Sequence, residues 1–305
     1  MFYQPVFAAS EWLDVSVARQ VLDSQAVVYV AIALTVLIIA KIINSMLSAY
    51  QLDEELTAKD NKAIGVSFSA FLLSVAIIVW GVLVSPSSTV NGVNLSDHFW
   101  ADLASTFIWS VIGVGLLLVA RVINDKLLLP KFEVRKELVS DRNVGTGAVL
   151  AGSYLAAAFV VQVSVMGEGQ GNFLTDLGLT LAYFFVGQLC LVVFGFVYQA
   201  VTPYDLHQEI EKDNVAAGIS FGGALTACGI LTAGYLSYSP SLPGLVVWFI
   251  ISTFLLLACR YVIDKVVLPK SAVDEEIQRD QNWGVALIET ACMVGVSFII
   301  IASFG

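Results

Sequence analysis

From Leu103 to Ala120 the chain runs 18 residues without a charged side chain, and uncharged stretches of similar length return along most of it. In hydrocarbon no water is available to backbone N–H and C=O groups, so segments this apolar span a bilayer either as helices or as strands of a closed barrel. Barrel strands are segments of about ten residues that alternate apolar with polar, and these runs do not alternate. A helix needs about 20 apolar residues to cross the hydrocarbon core. Eight windows are long enough: approximately Ala26 to Leu47, Ala63 to Val84, Leu103 to Leu128, Gly145 to Met166, Leu177 to Val201, Val215 to Tyr235, Leu245 to Val267 and Trp283 to Phe304. The uncharged stretch from Asn214 to Cys259 exceeds one helix, and "SPSLPG", Ser239 to Gly244, divides it through two prolines and a glycine. Charged residues make up 13% of the chain, against about 25% in soluble domains. The expected fold class is an all-α integral membrane protein with the lipid bilayer as its first partner.

The net charge is −10, but its distribution is more informative than its sum. Fourteen of the 15 Lys and Arg lie at or within the connections after the first, third, fifth and seventh spans; Arg19 is the exception, and Lys212 alone marks the fifth-to-sixth connection. Basic residues of short loops stay cytoplasmic. The expected topology is therefore multi-pass with both termini extracytoplasmic, residues 1–25 forming an extracytoplasmic segment. That segment has two acids and no basic stretch before a short apolar core, unlike a cleaved signal peptide, so the first span is the expected targeting signal. Cys190, Cys228, Cys259 and Cys292 fall inside spans without metal-type spacing and read as small buried hydrophobes. His98 and His207 sit in different loops, and no metal site, cofactor or His-based catalytic group follows from them.

Internal repeats set the architecture. "KDNKAIGVSFSAFL", Lys59 to Leu72, and "KDNVAAGISFGGAL", Lys212 to Leu225, agree at eight of 14 positions, and "ARVINDKLLLPK", Ala120 to Lys131, matches "CRYVIDKVVLPK", Cys259 to Lys270, at six of 12. The chain thus reads as two four-span halves, 26–168 and 169–305, each of two helix pairs. Each pair consists of a span, a polar connection, an acid with an Asn, and a second span rich in small residues. An even number of crossings per half makes the halves parallel repeats rather than inverted ones. The four entries into the second spans are Asp60-Asn61, Asp141 with Asn143, Asp213-Asn214 and Asp280 with Asn282. At the ends of the first spans of the pairs, Lys41, Arg121, Gly195 and Arg260 share one repeat position, followed four residues later by Ser45, Asp125, Gln199 and Asp264. That spacing lets Arg121 pair with Asp125 and Arg260 with Asp264, while Lys126 and Lys265 reach the interface.

These "DN" and "DxN" entries into small-residue helices, with "TPYD" at Thr202 to Asp205 before the third, resemble the YjfL-type family of bacterial inner-membrane proteins, a domain of unknown function. The resemblance covers nearly the whole chain after residue 25 and implies a bacterial inner-membrane location and two copies of a four-span domain. Gly195, in place of a basic residue, sets the third unit apart from its siblings.

Several residues carry two readings. The Asp/Asn entries serve as helix caps, since both side chains accept bonds from free amides at a helix start, or as a cytoplasmic ring of acids and amides that attracts cations. Further carboxylates in these connections, among them Asp53, Glu54, Glu55, Glu209, Glu211, Asp274, Glu275 and Glu276, read as a solvated loop face or a funnel. Gly145, Gly147, Gly152, Gly218, Gly222 and Gly223 permit close helix contact or line a path. Glu289 stands seven residues after Asn282, where the other units have Phe68, Leu150 and Phe221. Intramembrane acids are expensive, so it is a protonated structural carboxyl, a partner in a buried ion pair with a neighbouring span, or a proton or cation relay, with Gln162, Gln188 and Tyr198 as polar neighbours.

No phosphate-cradling glycine loop, metal-spaced His cluster or Ser/His or Cys/His pair appears, so an enzyme is not expected. Two function classes remain. One is a small transporter or channel for protons, cations or a small cationic solute, using Glu289 with Arg121, Asp125, Arg260, Asp264 and Lys41. The other is a non-transporting scaffold or sensor in envelope maintenance. Self-association fits either class, and nucleic acid is not an expected partner.

Overall fold

Helix formation follows from the apolar windows, and the computed structural model describes residues 26–48, 50–85, 89–90, 93–94, 99–167, 169–170, 172–267, 269 and 271–304. Residues 1–25 with Arg19, and His98, lie outside the described residues. In chain order the helices are α1 (Ala26–Leu47), α2 (Leu52–Thr57), α3 (Lys62–Val84), α4 (Phe99–Leu127), α5 (Val134–Val139), α6 (Val144–Val165), α7 (Phe173–Val201), α8 (Leu206–Glu211), α9 (Val215–Tyr238), α10 (Leu242–Val262), α11 (Val273–Gln278) and α12 (Trp283–Phe304). Strands β1 (Thr89–Val90) and β2 (Val93–Asn94) form an antiparallel hairpin between α3 and α4. The eight spans are 21 to 29 residues long, which at about 1.5 Å per residue covers a bilayer core.

The spans match the apolar windows, but three begin earlier: α4 at Phe99, α7 at Phe173 and α10 at Leu242. Asp102 and Asp176 fall in the first turns of α4 and α7, where a carboxylate suits the positive end of the helix. Pro243 falls in the first turn of α10, where a missing N–H costs no helix bond. Asn172 and Ser241 cap α7 and α10 through their side-chain oxygens. At its far end α10 loosens into a π-helical turn, Ile263–Val267.

The second spans of the four pairs, α3, α6, α9 and α12, pack on one another in chain order, and α1, α4, α7 and α10 pack outside that row. The least apolar span, α9, with mean hydropathy 1.6, is 89% buried, whereas α1, at 2.7, is 11% buried. Lipid tails are as apolar as Leu, so small and weakly polar residues gather where helices meet. A Cβ added at Gly147 would stand 2.5 Å from the Ala63 carbonyl oxygen, and one at Gly229 would stand 2.6 Å from Ala156. The α3–α6 and α6–α9 seams are therefore joined nearly backbone to backbone, while Gly223 and Gly234 of α9 meet the Thr290 and Ile301 side chains of α12. Cys190 and Cys228 are buried, and Cys259 and Cys292 are half-buried free thiols.

Each pair is joined through a short helix and a tight turn whose last residue before the Asn has positive φ: Asp60 (48°), Arg142 (53°), Asp213 (61°) and Gln281 (48°). Left-handed backbone is uncommon outside glycine and most tolerated by Asp and Asn. Its recurrence in all four units makes the turn part of the repeat.

Candidate functional site

The capping groups are the four asparagines. Asn61, Asn143, Asn214 and Asn282 accept from Ile64, Thr146, Ala217 and Val285 N–H at 3.2, 2.7, 3.1 and 3.3 Å. The acids before them do other things. Asp213 accepts the Gly145 N–H at 3.0 Å across to the neighbouring unit, Asp141 pairs with Lys136 at 3.2 Å and Asp280 with Arg279 at 2.9 Å, and Asp60 is exposed.

The same asparagines tie the loops together. Each backbone N–H reaches back to the carbonyl of a Glu in its own short helix: Glu55, Glu137, Glu209 and Glu276. Each side-chain amide donates to that Glu's carboxylate, at 3.1, 2.8, 3.2 and 2.9 Å. The amide then reaches the next unit, from Asn61 to the Leu138 carbonyl (2.8 Å), Asn143 to Ile210 (2.6 Å) and Asn214 to Ile277 (2.8 Å). All four loops thus lie at one end of the bundle, bonded in series. Glu55 and Glu209 are buried rather than members of a solvated loop face, and Glu137 is buried with them. The bond from Lys59 holds the Glu55 carboxyl below its ordinary range, while burial pushes that of Glu137 above it.

Glu289 is fully buried and accepts from Arg260 Nε at 2.8 Å and from the Ser220 hydroxyl. Arg260 also binds Asp274 through Nη2 and Thr202 through Nη1 at 3.2 Å, with its guanidinium 4.8 Å from the centre of the Tyr198 ring. Tyr198 shares a 2.8 Å hydrogen bond with Ser220. The expected Arg260–Asp264 pair gives way to this cluster. The π-helical turn carries Asp264 instead to the Val273 N–H (2.8 Å) and Lys265 (2.7 Å). Asp274 is drawn out of the loop face, and burial raises its carboxyl above the ordinary range against the pull of Arg260.

Arg121 and Asp125 approach at 3.8 Å, but the closer partner of Arg121 is the Asn44 amide oxygen at 2.5 Å, with Ser48 at 3.5 Å. Arg121 and Arg260 thus both meet a residue three positions past the repeat site of the preceding unit, Asn44 in one half and Tyr198 in the other. Lys41 forms a surface pair with Asp53 at 2.9 Å. His207 is held between the Leu128 carbonyl (2.9 Å) and Gln199 (3.2 Å), and burial lowers its basicity. Asp205, the acid of "TPYD", caps α8 and meets Lys131 at 2.6 Å. Gln188 bonds Asn124, and Gln162 packs against Gly81.

At the end of the bundle away from these loops lies a cavity of about 940 Å³, lined among others by Tyr29, Asp102, Gln170, Asp176, Thr180 and Tyr183. Tyr29 donates to Asp102, and Asp176 accepts the Gln170 N–H at 2.7 Å. Glu289 and Arg260 are not among its lining residues. Among the described residues no cluster of three His, Cys, Asp or Glu could hold a metal ion.

Sequence reasoning missed Asn44, Glu137, Thr202, Ser220, Asp102 and Asp176. A signal existed for the loop acids, since a Glu precedes the capping Asn by six residues in three units and by five in the third.

The chain is similar to both half-length and full-length relatives. A UPF0719 transmembrane protein, YshE, of Bacillus subtilis (strain 168) is 33% identical over 121 residues, 40% of this chain and 89% of the relative. A UPF0719 transmembrane protein of Aquifex aeolicus (strain VF5) is 20% identical over 261 residues, 84% of this chain and 90% of the relative. The UPF0719 inner membrane protein YjfL of Escherichia coli (strain K12) is 29% identical over 117 residues, 38% and 86%. No solved structure matches the chain. The model of the Domain of Unknown Function (DUF350) family matches twice in tandem, at residues 16–165 and 172–304, and the chain belongs to that family.

Proposed function

We propose that this protein is a small transporter or channel of the bacterial inner membrane that passes protons, cations or a small cationic solute and catalyses no chemical reaction. The observation that carries this reading is the cavity, about 940 Å³ among the spans, with two carboxylates, Asp102 and Asp176, in its lining. Acidic side chains lining an opening favour cations, and a charge held at membrane depth is expensive unless it is used or paired. The Lys and Arg bias puts the loop end in the cytoplasm and both termini outside, so the cavity is the extracytoplasmic vestibule. In this reading Glu289 is the fixed counter-charge of Arg260, and the cluster around it closes the cytoplasmic end.

The test is flux in proteoliposomes with a panel of protons, monovalent cations and polyamines. Wild type is expected to pass at least one of them, and Asp102→Asn and Asp176→Asn are each expected to slow that flux several-fold with the melting temperature unchanged. A folded protein that passes none would point to the non-transporting scaffold or sensor.

A further inference from the structure

Within the chain each unit meets the next in the same way, and the two ends of the row leave the same groups unmatched. The capping Asn of one unit donates to a carbonyl in the short helix of the next: Leu138, Ile210 and Ile277, each buried. The counterpart carbonyl in the first unit belongs to Leu56, which is half-buried, and among the described residues no side chain donates to it. At the other end Asn282 is exposed, whereas Asn61, Asn143 and Asn214 are 2%, 1% and 0% exposed, and among the described residues its amide has only Glu276.

The helix contacts repeat this pattern. The residue four past the Asn, Gly147 or Gly218, lies against the residue two past the preceding Asn, Ala63 or Gly145. The end counterparts are Gly65 and Gly284. A Cβ at Gly65 would meet only the Leu56 side chain, at 3.9 Å, and one at Gly284 only the Asn282 amide oxygen, at 3.2 Å.

We propose that a second copy of this chain supplies both missing partners: α12 of one copy docks head to tail on α2 and α3 of the next, a fourth interface of the kind that joins units within the chain. The residues fit at each register position. Asn282 meets the Leu56 carbonyl, and Gly65 meets Gly284. Ser69, whose hydroxyl donates to the Val66 carbonyl of its own helix at 2.9 Å, stands at the position where Thr290 meets the Ile219 carbonyl, which sets it opposite Leu287. Asp60 stands where Asp213 accepts the Gly145 N–H, which aims it at the Gly284 N–H. A second copy offers the Asn282 amide a carbonyl in the geometry of the three internal seams, which water and lipid headgroups at this end of the bundle do not. The contact keeps both copies in one membrane orientation, as a head-to-tail interface that closes into a ring or extends as a row. It goes beyond the transport reading and depends on none of its residues.

Cross-linking in membranes tests it. When differently tagged copies carrying Ser69→Cys and Leu287→Cys are made together and oxidised, a dimer bearing both tags is expected, while either substitution alone stays at the wild-type background. Native mass in lipid nanodiscs is expected to show two or more chains. Ala291→Trp, at an exposed position of α12, is expected to reduce that mass to one chain with an unchanged melting temperature, and Asn282→Ala to weaken association several-fold. A single-chain mass for wild type, or cross-linking of Leu287→Cys copies to each other as strongly as to Ser69→Cys copies, overturns the proposal.

Discussion

Arg260 meets two carboxylates, a hydroxyl and an aromatic face while only 9% exposed, so its charge is tolerated only because each direction is answered. Removing one partner of a buried ion pair typically costs about 3–5 kcal/mol. Asp274, Thr202 and Tyr198 remain after Glu289→Gln, so its expected cost lies at the low end, about 3 kcal/mol, read as a lower melting temperature in detergent. Asp264→Asn loses a bond near the surface and is expected to cost only about 0–1 kcal/mol. The presence of a buried acid was legible because only one unit carries a charge at that position. Its partner was not, because the spacing of four between Arg260 and Asp264 holds only for a regular α-helix, and the π-helical turn redirects Asp264. Among the readings open in the sequence was a buried pair with a neighbouring span, and Glu289 meets Arg260 of α10 in this way.

At the scale of helices the eight spans were legible to within about four residues at their starts, because a bilayer imposes both length and composition. The starts of α4 and α7 were missed because a search for uncharged windows stops at Asp102 and Asp176, while helix formation welcomes an acid in its first turn. The four six-residue helices were invisible as well, since their mixed polar sequences have no period long enough to detect. Small residues in α6 and α9 marked helix contact, and substitutions separate their roles. Gly152→Leu would force α6 from α9, where a Cβ already has no room, and is expected to destabilise by at least about 2–3 kcal/mol, within the range for overpacking. Gly115, exposed in mid-helix with nothing within 4 Å of an added Cβ, is the control. Gly115→Ala is expected to stabilise by about 0.5–1 kcal/mol through helix propensity. Thermal melts of the two variants read both.

In the whole molecule the two halves meet where α6 packs on α9, the same kind of contact that joins the pairs inside each half. Residues 1–168 and 169–305 expressed as separate chains are therefore expected to co-purify, and Gly152→Leu to abolish the co-purification; halves that stay apart would show that the linking segment, not the interface, holds them. Duplication was plain in the sequence, but the serial Asn bonds were not, because each couples a residue to a carbonyl more than 60 positions away. The same tight row has a mechanical consequence. Seams made of backbone against backbone, as α6 makes with α3 and with α9, contain few side-chain rotamers to exchange, so these three helices are expected to move as one blade. Sliding of packed helices needs an interface with alternative packings, and α1 and α10, the spans most exposed to lipid, are the ones free to find them. On the transport reading, the motion that opens and shuts this bundle is expected in its outer helices, around a stationary spine.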